Sequence, residues 1–326
     1  MTDFVVVGCG SIGRRHIRNL ISLKVGVLAT DVDRGRLQEA IRLGATPVRD
    51  LEEAIKSRPA AGIVCTPPHL HAEVALPLLA GGADVFVEKP IAHELPDARG
   101  LVEYATRHHK ILYVGYNLRF HPGLQRLSEF LTQSKFGRPL SFKIEFGQYL
   151  PDWRPSEDYR RGYNTRRAEG GGIILDASHE IDYLLWLAGE VESVHCEAAH
   201  VSGLEMDAED VAAITLRTRQ GAIAEIHVDC VQRRYTRSCK VICESGTMLW
   251  DFKRGLTCVG PDGSEYVAEG TTVEDINRMY LDEMSHFVAC VGGDASPVAA
   301  GIDAVRVLEI ALAARTSAAT GERISV

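Results

Sequence analysis

No stretch of the chain approaches the roughly 20 consecutive apolar residues that a membrane-spanning helix needs, so neither a spanning helix nor a membrane partner is expected. Positive charge is not in excess either. The 36 Lys and Arg face 44 Asp and Glu, a formal net charge of −8, which gives no general attraction for the polyanionic backbone of a nucleic acid. Cysteine is present but unpatterned. The eight cysteines are scattered, several of them in apolar runs (Cys65, Cys243, Cys290), and the nearest pair, Cys239 and Cys243, has no second pair to complete a zinc site. Neither a disulfide framework nor a metal centre is expected. The start Met1-Thr2-Asp3 carries an acid where a secretion signal would be basic, and the expectation is a cytoplasmic protein.

What remains is core-building material. The 326 residues are 45% hydrophobic and 25% charged, the composition of a folded protein of about two domains at roughly 150 residues each. Over the first 90 residues, short apolar runs alternate with helical stretches, the mark of parallel strands joined by crossover helices. Phe4-Val7, Val25-Ala29, Ala61-Cys65, Asp84-Val87 and Ile111-Val114 read as strands, which predicts a doubly wound α/β Rossmann domain over residues 1–120. Beyond Phe120 the rhythm changes. Ser141-Tyr149, Ser193-His200, Val211-Arg217, Ile223-Val228, Cys239-Cys243 and Thr247-Asp251 follow with few helices between them. That pattern predicts an α+β domain over residues 121–326 with a large, mainly antiparallel open sheet. Terminal helices are expected at about Val273-Val291 and Ala300-Thr316. Pro151-Glu169 lacks clear periodicity and is rich in Arg, Tyr, Asp and Pro, as functional loops often are.

Gly8-Cys9-Gly10-Ser11-Ile12-Gly13 directly follows the first strand and opens a helix. In that context Gly8 permits a tight turn, Gly10 lets the backbone approach a pyrophosphate, and Gly13 lets helix and strand pack closely. The N–H groups at the helix start, from Ser11 and Ile12 onward, face the anion. Asp31 stands 18 residues after Gly13, at the end of the second strand, where a carboxylate accepts from an adenosine ribose diol. The same carboxylate repels a 2′-phosphate, whereas Arg34 and Arg36 would attract one. The balance favours NAD over NADP.

Thr66-Pro67-Pro68-His69-Leu70-His71-Ala72-Glu73 and then Glu88-Lys89-Pro90 resemble the glucose-fructose oxidoreductase, inositol dehydrogenase and MocA (Gfo/Idh/MocA) family. Gly115 to Pro122, Trp153-Arg154, the run from Gly170 through Asp176, His179 and Asp182, and the helix end from Ala311 to Ser317 fit the same family, in family order. The resemblance implies an N-terminal Rossmann domain and a C-terminal domain whose open sheet mediates a homodimer or homotetramer. It implies activity on sugars, polyols or related carbonyl compounds. It also implies that Lys89 lies near both nicotinamide and substrate, before a cis proline, where an ammonium stabilises a developing alkoxide. Thr66, Pro67 and His71 would line the cofactor path, and Glu88 would stand beside the ribose on the nicotinamide side. Asn117 and Arg119, just past the strand ending at Gly115, are candidate substrate contacts.

A helix is expected from about Ile173 to Leu187. On it Asp176 and His179 are neighbours at i, i+3, with Asp182 a further step of three along. Histidine exchanges protons near neutral pH, so His179 is the candidate general acid/base, with Asp176 orienting it and a relay possible along the face. Many family members separate the aspartate and histidine by four residues. The segment Pro155-Glu169 carries Arg160, Arg161, Arg166 and Arg167, a density suited to a carboxylate or phosphate. From this part of the chain Tyr163 and Arg166 join Lys89, Asn117, Arg119, Asp176 and His179 as candidate substrate contacts. The expectation is an NAD-dependent dehydrogenase acting on a secondary alcohol or ketone of a sugar, polyol or nucleotide-sugar derivative. Two alternatives keep the dinucleotide site: glycoside cleavage that uses tightly held NAD transiently, and non-catalytic dinucleotide sensing.

Overall fold

A computed structural model describes residues 3–155 and 157–326. The chain opens with β1 (Phe4–Val7), α1 (Ser11–Ser22), β2 (Val27–Thr30), α2 (Arg34–Arg42), β3 (Thr46–Pro47), α3 (Leu51–Lys56) and β4 (Ala61–Val64). It continues through α4 (His71–Ala80), β5 (Asp84–Val87), α5 (Leu95–Arg107) and β6 (Leu112–Val114). The six strands pair in parallel in the order β3-β2-β1-β4-β5-β6. Strands such as β1 and β4 are buried along their whole length, as parallel strands covered on both faces must be. Helix starts are set locally. The Asp33 carboxylate accepts from the N–H groups of Gly35 and Arg36, and Asp50 accepts from Glu53, so each satisfies orphan donors of a first turn. Gly82, at φ +92°, closes α4 as a glycine stop.

After α6 (Pro122–Thr132) comes β7 (Pro139–Gly147), then a loop of short 3-10 turns, α7 (Ile173–Asp176) and α8 (Ser178–Ala188). There follow β8 (Val191–Ala199), β9 (Val211–Thr218), β10 (Ile223–Asp229), β11 (Thr236–Cys243), β12 (Gly246–Asp251), β13 (Gly255–Val259) and β14 (Glu265–Val267). The chain closes with α9 (Asn277–Val291), α10 (Gly301–Thr320) and β15 (Ile324–Ser325). Nine strands form one sheet in the order β14-β13-β12-β11-β7-β10-β9-β8-β15. It is antiparallel except where β10 runs parallel to β7, in line with the expected mainly antiparallel sheet. Buried residues alternate with outward ones along its strands, as in β10, where Ala224, Ile226 and Val228 are buried and Ile223, Glu225 and His227 are exposed.

The chain divides into two compact units: residues 1–117 with 276–305, and residues 118–275 with 306–326. A single boundary near residue 120 misses the return of α9 to the first unit, where it packs on α1. A second difference is local. The helix expected over residues 173–187 is broken at Ala177 (φ −90°, ψ 28°), where the Glu180 N–H bonds back only three residues, to the Ala177 carbonyl. The break coincides with anchorage of the Asp176 carboxylate by two donors from the preceding loop.

Candidate active site

The first unit builds a cradle at the carboxyl ends of its strands. In a sheet of order 3-2-1-4-5-6, the strand order reverses between β1 and β4, and ligands bind in the crevice outside that point. The loops leaving β1 and β4 are pressed together there. Gly8 has φ +94°, and a Cβ on it would stand 2.8 Å from the Cys65 backbone, while one on Gly13 would stand 1.9 Å from the Gly8 carbonyl oxygen. Both glycines are therefore required by the protein's own packing. Gly10 is not. Its φ is −64°, and a Cβ there would meet nothing within 4 Å. A glycine that neither backbone strain nor packing demands suits a position where a bound group lies against the backbone.

Other features around Gly10 fit a dinucleotide. Helix α1 has no side-chain cap and no acid in its first turn, which leaves its N–H groups and positive dipole end to an anion. Asp31 is held by the backbone N–H of Cys9 (2.6 Å) and of Asp33 (2.7 Å), one on each oxygen, and a carboxylate with two such bonds retains lone pairs for a ribose diol. Arg34 and Arg36 are exposed. The Thr66 hydroxyl, just past β4, is buried without a hydrogen-bond partner. The residues present thus fit the dinucleotide that the glycine pattern predicts.

Past β5 stand Glu88, Lys89 and Pro90, and the Lys89-Pro90 peptide is cis. His71 is buried, with Nδ1 2.8 Å from the Pro90 carbonyl and Nε2 2.8 Å from the Thr66 carbonyl. It ties the loop after β4 to the one after β5 rather than presenting a free nitrogen, and burial pushes its pKa down. Glu88 Oε1 lies 2.7 Å from Nε2 of His16, a residue that the sequence reading passed over. Its signal was available: three positions after Gly13, it falls on the buried face of α1 with Ile17 and Leu20. Asn117 opens a short 3-10 turn after β6 and is buried.

The second unit holds the candidate acid-base segment. Asp176, His179, Glu180 and Asp182 are all buried. Asp176 accepts from Asn164 Nδ2 at 2.7 Å on each oxygen and from the Tyr163 hydroxyl at 3.1 Å, so Tyr163 serves the carboxylate. Asp182 receives the Arg119 guanidinium, with Nη2 2.7 Å and Nε 3.1 Å away. This forked pairing commits the Arg119 guanidinium to Asp182, so the i, i+3 step along the helix does not by itself make Asp182 a relay partner of His179. Glu180 pairs with Arg237 Nε at 3.0 Å, and the Arg237 guanidinium also lies 4.1 Å from the Phe146 ring centroid. The arginines of the loop are largely matched by acids: Arg160 by Asp158 and Glu205, Arg166 by Glu169, and Arg167 by Glu209. Sequence reasoning missed Asn164, Arg237 and Arg315. The last of these binds Glu209 and the Gly171 carbonyl, fastening the start of α7. Separations of 12 to 144 residues between such partners leave no local pattern to read.

A parallel sheet with a glycine-rich turn at its switch point, in a chain whose second unit carries the buried segment from Asp176 to Asp182, fits the class of dinucleotide-dependent oxidoreductases. A family model described as "Oxidoreductase family, NAD-binding Rossmann fold" matches residues 2–116, and one described as "GFO/IDH/MocA C-terminal domain" matches residues 124–249. The chain belongs to the Gfo/Idh/MocA oxidoreductase family and carries that family's NAD-binding Rossmann domain. Myo-inositol 2-dehydrogenase of Thermotoga maritima is 28% identical over 330 residues, covering 96% of this chain and 95% of that protein. The 1,5-anhydro-D-fructose reductase of Ensifer adhaerens is 25% identical over 338 residues, covering 100% and 99%. The WlbA dehydrogenase of Bordetella pertussis, solved with NADH and UDP-GlcNAcA, matches with a TM-score of 0.84 at 26% identity, covering 100% of this chain and 98% of that one.

Proposed function

We propose that the protein moves hydride between NAD and a secondary alcohol or ketone carbon of a sugar, polyol or nucleotide-sugar derivative. The observation that carries this reading is the pairing, in one chain, of a dinucleotide cradle ending in Glu88-Lys89-Pro90 with a buried acid-base segment at Asp176 and His179. Relatives named for inositol and for anhydrofructose support the substrate class. When bound, nicotinamide supplies the hydride acceptor or donor. The protein's residues then manage the reacting oxygen and its proton. The Lys89 ammonium stabilises charge that develops on the oxygen as hydride leaves carbon. His179 takes the hydroxyl proton in oxidation and returns it in reduction, while Asp176, held by Asn164 and Tyr163, supports the histidine. Gly8, Gly10, Ser11, Ile12, Gly13, Asp31, Thr66 and Pro67 form the cofactor set, with His71 as a brace and Glu88 at its nicotinamide end. Asn117 is a further substrate contact. The ion pairs of Arg119 and Arg166 leave these two the weaker members of the substrate set.

The test is NADH absorbance on a panel of polyols, aldoses, uronic acids and nucleotide sugars, followed by substitution. Lys89→Ala is expected to lower kcat/KM about a thousandfold, and His179→Ala about a hundredfold or more, with NAD still bound. Full activity in Lys89→Ala would overturn its assignment. The same reading includes a homodimer or homotetramer formed through the open face of the second unit's sheet, where Ile223, Ile242 and Leu249 are exposed. Sedimentation of Ile242→Glu as a monomer, against a wild-type oligomer, would support it; an unchanged mass would not.

A further inference from the structure

His16 is fully buried in α1, yet it is not there to fill space alone. Its Nε2 lies 2.7 Å from Glu88 Oε1, and its Nδ1 is buried without a hydrogen-bond partner. A neutral imidazole carries one N–H. Placing the proton on Nδ1 buries a donor with no acceptor, which is costly; placing it on Nε2 makes the ring donate to the carboxylate. The ring cannot easily turn away, because it packs edge-on against Phe86, with centroids 5.2 Å apart, and against Tyr280, at 6.4 Å.

The other oxygen of Glu88 is confined as well. Oε2 accepts the Lys89 backbone N–H at 3.3 Å. On its far side is Gly115, where a Cβ would approach Oε2 to 3.2 Å and Phe86 to 3.1 Å. One carboxylate at the exit of β5 is thus set by a buried imidazole on one oxygen and by the following residue's amide on the other. The following residue is Lys89.

We propose that His16 is a positioning residue of the dinucleotide site. By donating Nε2–H to Glu88 it orients the carboxylate at the nicotinamide end of the cradle and, through the Lys89 amide, the residue that stabilises the reacting oxygen. The proposal rests on the roles given above to Glu88 and Lys89. It predicts that His16 acts through Glu88 and through no other route.

The experiment titrates NADH by nicotinamide fluorescence in wild type, His16→Phe, Glu88→Leu and the double variant, with thermal melting of each. Affinity is expected to fall about tenfold in either single variant and no further in the double, since two steps of one interaction do not add. His16→Gln, whose amide can donate in place of Nε2, should recover most of the loss. On an active substrate, His16→Phe should lower kcat more than it changes KM for the alcohol. Wild-type affinity in His16→Phe, or losses that multiply in the double variant, would overturn the proposal. Should His16→Phe melt too low to titrate, His16→Gln against His16→Met decides the matter: equal affinities overturn it, and loss in Met alone supports it. Failure of every alcohol in the panel would count against the substrate reading, while the NADH titration still decides the place of His16.

Discussion

The two units handle polar chemistry in opposite ways. In the first, the cradle is made largely of backbone: glycines that permit close approach, exposed N–H groups at a helix start, and one carboxylate at a strand end. In the second, four titratable side chains within seven positions, Asp176 to Asp182, are withdrawn from water. The carboxylates among them are matched by Asn164 and Tyr163, by Arg237 and by Arg119. The contrast teaches what each of the two proposed tasks demands. Holding a dinucleotide needs shape and a fixed array of donors, which backbone supplies without burying charge. Moving a proton needs side chains in a dry environment, and a dry carboxylate is tolerable only beside a partner.

Breaking the second arrangement should have the largest effect. Arg119→Met leaves Asp182 buried without its guanidinium, and the expected loss is about 3–5 kcal/mol of unfolding free energy, read from chemical denaturation. An unchanged midpoint would erase the contrast between the units. Acid should weaken the second unit next. Burial holds His121 at about 4, below the ordinary 6.5, with the Arg237 charge pushing the same way and the Phe252 carbonyl beside Nε2 opposing the shift. The unfolded chain binds a proton that the native one refuses, so stability is whole above pH about 6.5 and declines as pH falls toward 4. The decline should reach up to about 3 kcal/mol. His71 in the first unit is shifted the same way and adds to the slope. Denaturation midpoints at pH 7 and 4.5 check this, and a flat profile would contradict it.

A finer comparison lies inside the cradle. Gly13→Ala drives a Cβ into the Gly8 carbonyl, 1.9 Å away, and should cost about 1–3 kcal/mol by overpacking, visible as a lower melting temperature. Gly10→Ala meets no atom within 4 Å and should melt as wild type does while binding NADH more weakly. Early melting of Gly10→Ala would mean that this glycine serves the fold rather than the ligand.

Much of the first unit could be read in advance because its signals are local. A strand, a glycine turn and a helix follow one another within ten residues, and the alternation of strands and helices implies a parallel, doubly wound sheet. The strands of the second sheet were legible up to β12, but β13, β14 and β15 are short and weakly patterned. The broken helix at Ala177 was not legible, since it coincides with anchorage of Asp176 by a loop residue twelve positions away. Nor was the return of α9 to the first unit, because apolar periodicity shows that a face is buried and is silent about the partner. The arginines of residues 160–167 show the same limit: their density in the chain suggested an anion, and the side chains of Arg160, Arg166 and Arg167 meet acids of the protein itself.

Sequence alone determined the class of chemistry. Gly8, Gly10, Gly13 and Asp31 match the pattern of a dinucleotide site, and Lys89, Asp176 and His179 are residue types suited to oxygen polarisation and proton exchange. Tertiary structure decided which partner each polar side chain takes. Arg119 went to Asp182, His71 to two carbonyls, Tyr163 to Asp176 and His16 to Glu88. The reason is physical: a buried polar group must find a partner, and which partner it finds depends on chain segments brought together only when the sheets have formed.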